Sequence, residues 1–204
     1  LKFNRSISMF PIGIRAQPLR CFRRARMVTT WTLYRAPGTV PEVSKVLLAA
    51  QHCGVELEVR TVNDVEQIPV QELTGPAVRL PLLRMRDGQL FGSQAICRFM
   101  ARSRPSLNLH GRNFQEQGEV DSWLEWMQND LEVPLATLSK ELQRPDPRKP
   151  VIEEAQRYLI GAFQVIEAHL LRNTYIVGHS PTLADLCVQA VFRHVREIAN
   201  SETR

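Results

Sequence analysis

Apolar positions recur with two different periods along the chain, and the change of period divides it. Trp31 to Tyr34 (WTLY) reads as a short strand closed by the turn pair Pro37-Gly38. Val43, Val46, Leu47 and Ala50 then fall at i, i+3, i+4 and i+7, which predicts an amphipathic helix over 40–51, stopped by Gly54. Residues 55–62 alternate apolar and polar side chains as a second strand would, and a short helix or loop is expected around 69–73. Asp87-Gly88 lies between the apolar stretches 80–85 and 89–91, the spacing of a two-strand hairpin. Ile96, Phe99, Met100 and Ser103 line a helix that opens after Ser93. The order β-α-β, short α, β-β-α thus fills residues 31–104.

Beyond Pro105 the period is helical throughout. Val120, Trp123, Leu124, Met127 and Leu131 predict a long helix stopped near Pro134. Ile152, Ala155, Leu159, Phe163, Ile166 and Leu170 predict another, with Pro150 just ahead of it. A last helix is expected from Thr182, carrying Leu183, Val188, Val191 and Phe192. The expected organisation is a leader over 1–26 outside the fold, an α/β unit over 27–104, and an all-helical unit over 105–204.

Charge changes this picture at one end only. Residues 1–26 hold seven bases and no acid, leaving 19 of the 26 bases against all 21 acids, a net of −2 for the rest. The basic pI therefore belongs to the leader, and a nucleic-acid surface on the body loses its support in composition. Arg-rich, Ser-bearing and acid-free, the leader has the composition of a mitochondrial presequence; translated upstream sequence ahead of Met27 is the other reading. The expected location is the cytoplasm, or the mitochondrion if the leader is a true presequence. No apolar run approaches the roughly 18 residues of a spanning helix, so no membrane role is expected. Cysteines at 21, 53, 97 and 187 form no CxxC pair, and histidines at 52, 110, 169, 179 and 194 never pair at ligand spacing, so neither a disulfide framework nor a metal site is expected.

Three local motifs carry structural information. Leu80-Pro81 at the entry of a strand suggests a cis bond that exposes the Leu80 backbone. Ser93 stands between a strand and a helix, where it is either a plain N-cap or part of a carboxylate site built with free amides. Thr182-Leu183-Ala184-Asp185 has the spacing of a capping box and fixes the start of a core helix.

Together with the α/β-then-all-α order, these motifs resemble the glutathione transferase fold: a thioredoxin-like amino-terminal half with its cis-proline, then a helical half whose internal helix opens with T-x-A-D. Within that superfamily the chain is similar to the amino-terminal appendage of animal methionyl-tRNA synthetase. Three runs carry this likeness: LFGSQAICRF (Leu90 to Phe99), WLEWMQNDLEVPL (Trp123 to Leu135) and LYRAPGTVPEVSKVLLAA (Leu33 to Ala50). Appendages of valyl-tRNA synthetase and the gamma subunit of translation elongation factor 1 share the YIVGHSPTLADL-like segment (Tyr175 to Leu186). All three families imply a role in translation.

The resemblance implies two functions to weigh. A free transferase must lower the glutathione thiol pKa with a hydroxyl or thiol near the first helix. Thr39 is the local candidate, but Thr39-Val40-Pro41-Glu42 is itself a capping box, Tyr34 lies inside a strand, and Cys53 is at the far end of the helix. Transferases usually place an acidic or amide side chain before the serine to meet the peptide's ammonium; here that position is Gly92. The resemblance therefore implies a vestigial glutathione site at Thr39, Leu80 and Ser93, no catalytic residue, and no cofactor beyond weakly held glutathione. The other function is docking, with other glutathione-transferase-like translation proteins or scaffolds, as a homo- or heterodimer. Arg98, Arg102 and Trp126 are the candidate anchors, or else solvated arginines and a core tryptophan. No HIGH-like, KMSKS-like, GxGxxG or P-loop run occurs, so aminoacylation chemistry is absent from this stretch of chain.

Overall fold

The computed structural model describes residues 31–38, 40–73, 75 and 79–201. Strand β1 (Trp31–Arg35) pairs in parallel with β2 (Leu57–Thr61), and on its other side antiparallel with β3 (Leu82–Arg84), which pairs antiparallel with β4 (Gln89–Phe91). The order is β2-β1-β3-β4. Because side chains alternate across a strand, Leu33 and Leu83 face one side and Tyr34 and Leu82 the other. The first pair packs on helices α1 (Val40–Cys53) and α2 (Ser93–Ser103) through Val43, Val46, Ile96 and Met100. The second pair is covered by Ile68, held between two single 3-10 turns, Val65–Gln67 and Val70–Glu72.

Two strands are shorter than their apolar patterns predict. The Val55 amide is already engaged with the Ala50 carbonyl at 2.9 Å, closing α1 at Gly54, so β2 starts two residues later. Leu80-Pro81 is a cis peptide, and Pro81 has no amide to donate; its carbonyl accepts from Gly92 at 2.9 Å, and strand pairing begins at Leu82.

The helical half contains α3 (Phe114–Met127), α4 (Val133–Leu142), α5 (Lys149–Leu170) and α6 (Leu183–Ser201). Pro134 does not stop the helix before it, contrary to the sequence-based expectation. Residues Gln128–Glu132 form a π turn in which the Val133 amide reaches the Gln128 carbonyl five residues back. The wider turn accommodates the proline ring and its missing amide, and α4 continues from α3. At the head of α6, Asp185 accepts from the Thr182 amide (2.8 Å) and hydroxyl (2.9 Å) and from the Ile176 amide (2.9 Å). The cap thus forms as predicted, with the helix starting at Leu183, and it also anchors the loop before it. Leu183, Ala184, Cys187 and Val191 are buried, and α6 packs against both α1 and α3.

Two further ties complete the fold, one within the helical half and one between the halves. In the connection, the Leu183 amide donates to the Leu109 carbonyl at 2.7 Å. Gly111 (φ 97°) lies so close to the start of α3 that a Cβ there would stand 2.7 Å from the Gln117 amide nitrogen, so glycine is required. The second tie is an ion pair: Lys45 of α1, only 1% exposed, donates to both oxygens of buried Glu132 in the π turn at 2.6 and 2.7 Å. Burial alone would push the Lys45 ammonium down, but the Glu132 carboxylate more than offsets it and holds the pKa up.

Two measurements test the Lys45–Glu132 pair and a second ion pair, Glu141–Arg148, between the end of α4 and the start of α5. Lys45→Met strands a buried carboxylate and should cost about 3–5 kcal/mol in urea unfolding, while Lys45→Met/Glu132→Leu should recover most of it; equal losses in single and double variants would refute the coupling. Glu141 is held by Arg148 through two side-chain bonds of 2.9 Å and is pushed down to about 2 from 4.5. Because its folded pKa is depressed, its contribution is present above the unfolded value and disappears as pH falls toward 2. Glu141→Gln should therefore lower Tm at pH 7 and leave it unchanged near pH 2.

Candidate functional site

The end of β1, the start of β3 and the starts of α1 and α2 lie at one edge of the sheet, where a thioredoxin-like fold offers free backbone groups. Thr39, the proposed thiol partner, lies outside the described residues. Leu80 stands half-buried before the cis bond. Gly92, at φ 84°, is the N-cap of α2, and Ser93 is its first helical residue rather than the cap expected from sequence. The reason is conformational: only glycine takes that positive φ without strain, so the cap falls one residue earlier and lacks a side chain. Ser93 is 9% exposed. Next to it, the Gln94 amide donates to the Leu124 carbonyl at 3.2 Å and ties α2 to α3.

What stands over Gly92 is a cation. A Cβ built there would lie 3.3 Å from Nη2 and 3.7 Å from Nε of Arg79, so the guanidinium lies against the backbone of the cap. Ser93, the first amides of α2 and Arg79 could together receive a carboxylate, but where a ligand's ammonium would need an acid there is a guanidinium. Glu42, in the first turn of α1, is the nearby acid; burial pushes its carboxyl up, Glu132 adds to this, and Lys45, Arg79 and Lys140 oppose it.

Other groups that could activate a thiol are committed elsewhere. Tyr34 is buried on the sheet face away from α1 and donates its hydroxyl to Glu72, which also receives Arg60 at 3.2 Å. Burial, followed by the Glu72 bond, pushes the Tyr34 pKa up. Cys53 donates to the Met100 carbonyl at 3.3 Å and is raised by burial; Cys97 and Cys187 are fully buried, the latter pushed up to about 12. None of these thiols is a poised thiolate. Among the described residues no cluster of His, Cys, Asp or Glu could hold a metal ion, and no helix is long and apolar enough to cross a membrane.

The proposed docking residues separate into two places. Arg98 and Arg102 lie one turn apart on α2 and share a network with α3: Arg98 donates to Asp121, His110 Nε2 bonds Asp121 at 2.8 Å, and Arg102 Nε approaches His110 Nδ1 at 3.4 Å. Burial would raise Asp121, but the bonds from Arg98 and His110 hold it below the usual range. Trp126 falls about 140° around α3 from Asp121, five residues at about 100° each. It packs edge-on against Trp123 at 5.4 Å, and Trp123 in turn meets His169 of α5 at 4.8 Å. The sequence reading missed Asp121 and His110; an acid on the polar flank of a helix with a neighbouring His carries no periodic signal.

A four-stranded mixed sheet in thioredoxin-like order, followed by a helical half with a capped central helix, defines the architecture of the glutathione transferases. The model of the glutathione S-transferase C-terminal domain matches residues 128–202. Glutathione S-transferase 4 of Zea mays is 30% identical over 155 residues, 72% of this chain and 69% of that one. The chain belongs to the glutathione S-transferase family. It is also similar to elongation factor 1-gamma 3 of Oryza sativa subsp. japonica, 29% identical over 146 residues, which are 70% of this chain and 35% of the relative. The chain thus spans about a third of the length of the elongation factor relatives that it matches. In structure, maize glutathione S-transferase I in complex with an atrazine glutathione conjugate superposes with a TM-score of 0.71 at 24% identity, covering 82% of each chain.

With Arg79 over the cap and no thiolate poised among the described residues, conjugation of glutathione to a generic electrophile should stay near the uncatalysed rate. Robust turnover that Thr39→Ala abolishes, with circular dichroism unchanged, would show the site to be working.

Proposed function

We propose that this chain is a protein-protein docking domain of the translation machinery, built on the glutathione transferase fold and most similar in role to the methionyl-tRNA synthetase appendage that anchors its enzyme in a multi-synthetase assembly. The observation that carries the docking reading is Arg79 lying over a side-chain-free cap at Gly92, which leaves the glutathione subsite without the acid that an ammonium needs. Likeness to elongation factor 1-gamma supports the translational setting, and the runs around Ala95, Trp123 and Leu33 support the synthetase appendage. The cytoplasm is the corresponding location.

The α2–α3 face fits a docking role because its arginines are already positioned. Asp121 and His110 hold Arg98 and Arg102 side by side, so less side-chain entropy is lost when a partner binds. Partners on this reading are other transferase-like translation proteins or scaffolds, in a homo- or heterodimer. Trp126 belongs to the neighbouring flank and would contact a partner only if the interface wraps across α3. Free glutathione conjugation is the second reading, favoured by the likeness to the maize transferase.

Pull-down from a translation-competent lysate should recover synthetase or scaffold proteins. Arg98→Ala/Arg102→Ala should weaken that recovery by roughly thirtyfold in affinity, the effect of losing a central anchor of about 2 kcal/mol, with circular dichroism unchanged and only a modest fall in Tm from the lost Asp121 bond. Undiminished binding by the variant would exclude this face, and a parent that recovers no translation component would exclude the docking reading.

A further inference from the structure

Helix α5 buries one face in the core through Ala155, Leu159, Ala162 and Ile166, and leaves the other side to solvent. Along one flank of that free side stand Glu154, Tyr158, Gly161, Val165, Ala168 and Arg172, all exposed, Tyr158 at 59% and Val165 at 48%. Their spacing alternates four and three residues. At about 100° per residue they fall within about 80° of arc, and at about 1.5 Å per residue they form a seam about 27 Å long. Arg172 stays in line because the Leu171 backbone is still helical and the Arg172 amide bonds the His169 carbonyl at 3.2 Å. The spacing is the a/d repeat of a coiled coil, carried on a surface rather than in the core.

Three features of the seam fit a second helix laid along it. Gly161 stands in the middle of α5, where glycine is costly in backbone entropy, and a Cβ there would meet nothing within 4 Å, so packing among the described residues does not require it. Large and small side chains alternate, with Tyr158 and Val165 at one heptad position and Gly161 and Ala168 at the other. The two ends carry opposite charges, Glu154 and Arg172, and neither forms an ion pair among the described residues. Two copies of the seam related by a two-fold axis run antiparallel, so that each residue at one heptad position faces the other position of the second copy. Tyr158 then lies over Ala168 of the second copy, Val165 over its Gly161, and Glu154 beside its Arg172 at both ends. Large against small lets the helix axes approach to about 8–10 Å. A parallel pairing in register would set Tyr158 on Tyr158 and put like charges together at each end, so charge selects the antiparallel arrangement.

We infer that α5 is a self-docking surface, whose partner is the same seam of a second copy of this chain in antiparallel two-fold contact. It goes beyond the α2–α3 face and does not depend on it. A single helix pair lies at the low end of interface sizes, so a dimer that dissociates in the micromolar range is expected. Sedimentation velocity of the full chain over a concentration series reads it directly. Glu154→Arg or Arg172→Glu alone should weaken the dimer about tenfold or more, since each reversal acts twice through the axis, and the swap Glu154→Arg/Arg172→Glu should restore it. Val165→Glu should leave the chain monomeric with circular dichroism and Tm unchanged. Arg98→Ala/Arg102→Ala should dimerise like the parent, which separates this surface from the α2–α3 face. A parent that stays monomeric throughout the series, single reversals that associate undiminished, or a charge swap that fails to recover association would overturn the inference. So would a dimer lost in Arg98→Ala/Arg102→Ala and kept in Val165→Glu.

Discussion

The Lys45–Glu132 pair is the constraint around which the two halves are arranged. Lys45 comes from the first helix of the α/β unit, and Glu132 from the one wide turn in the α3–α4 rod. A buried ammonium without its carboxylate would cost several kcal/mol, so any packing of the halves that moves α1 from the π turn is disfavoured far more than loss of apolar contact alone would make it. The pair selects one docking arrangement. Apolar packing of Leu33, Val46, Met100, Leu124 and Leu183 then fills the space that it defines.

That arrangement accounts for the state of the cleft. With α1 held by the pair and α2 tied to α3 through Gln94 and Arg98, the starts of both helices are fixed relative to the cis-proline loop. The first amides of α2 face the cap, where Gly92 supplies no side chain and the Arg79 guanidinium lies close. Family membership rests on the scaffold, whereas activity in any member rests on a few groups at its edge.

Most of the scaffold was legible in the sequence, and the reasons for the misses are specific. Period and turn residues place β1, α1, the β3–β4 hairpin, α2 and α6, because each signal is local. Pro134 misled because a proline reads as a stop unless the turn before it widens, and nothing in QNDLE announces a π turn. Ser93 was read as a cap because serine is a common one, yet a glycine with positive φ took the position. Of the site, the cis bond and Ser93 were visible. Arg79 over Gly92, Asp121 and the Lys45–Glu132 pair were not, since contacts across 13, 23 and 87 residues leave no period. Lys45 falls about 200° around α1 from Val43, on the side away from the apolar stripe of Val43, Val46, Leu47 and Ala50, so a reading by periodicity alone treats it as surface.

The linker around Gly111 bears on mechanics. With the Leu109 carbonyl held by Leu183 and Gly111 pressed against the first turn of α3, the connection has no slack to act as a hinge. The clasp belongs to the helical half, so a ligand or partner that needs the halves to swing apart would have to break the buried Lys45–Glu132 pair. The domain therefore passes force and orientation from one half to the other as a rigid bracket would. Whatever polypeptide is joined to one half is held at a fixed angle to whatever binds the other.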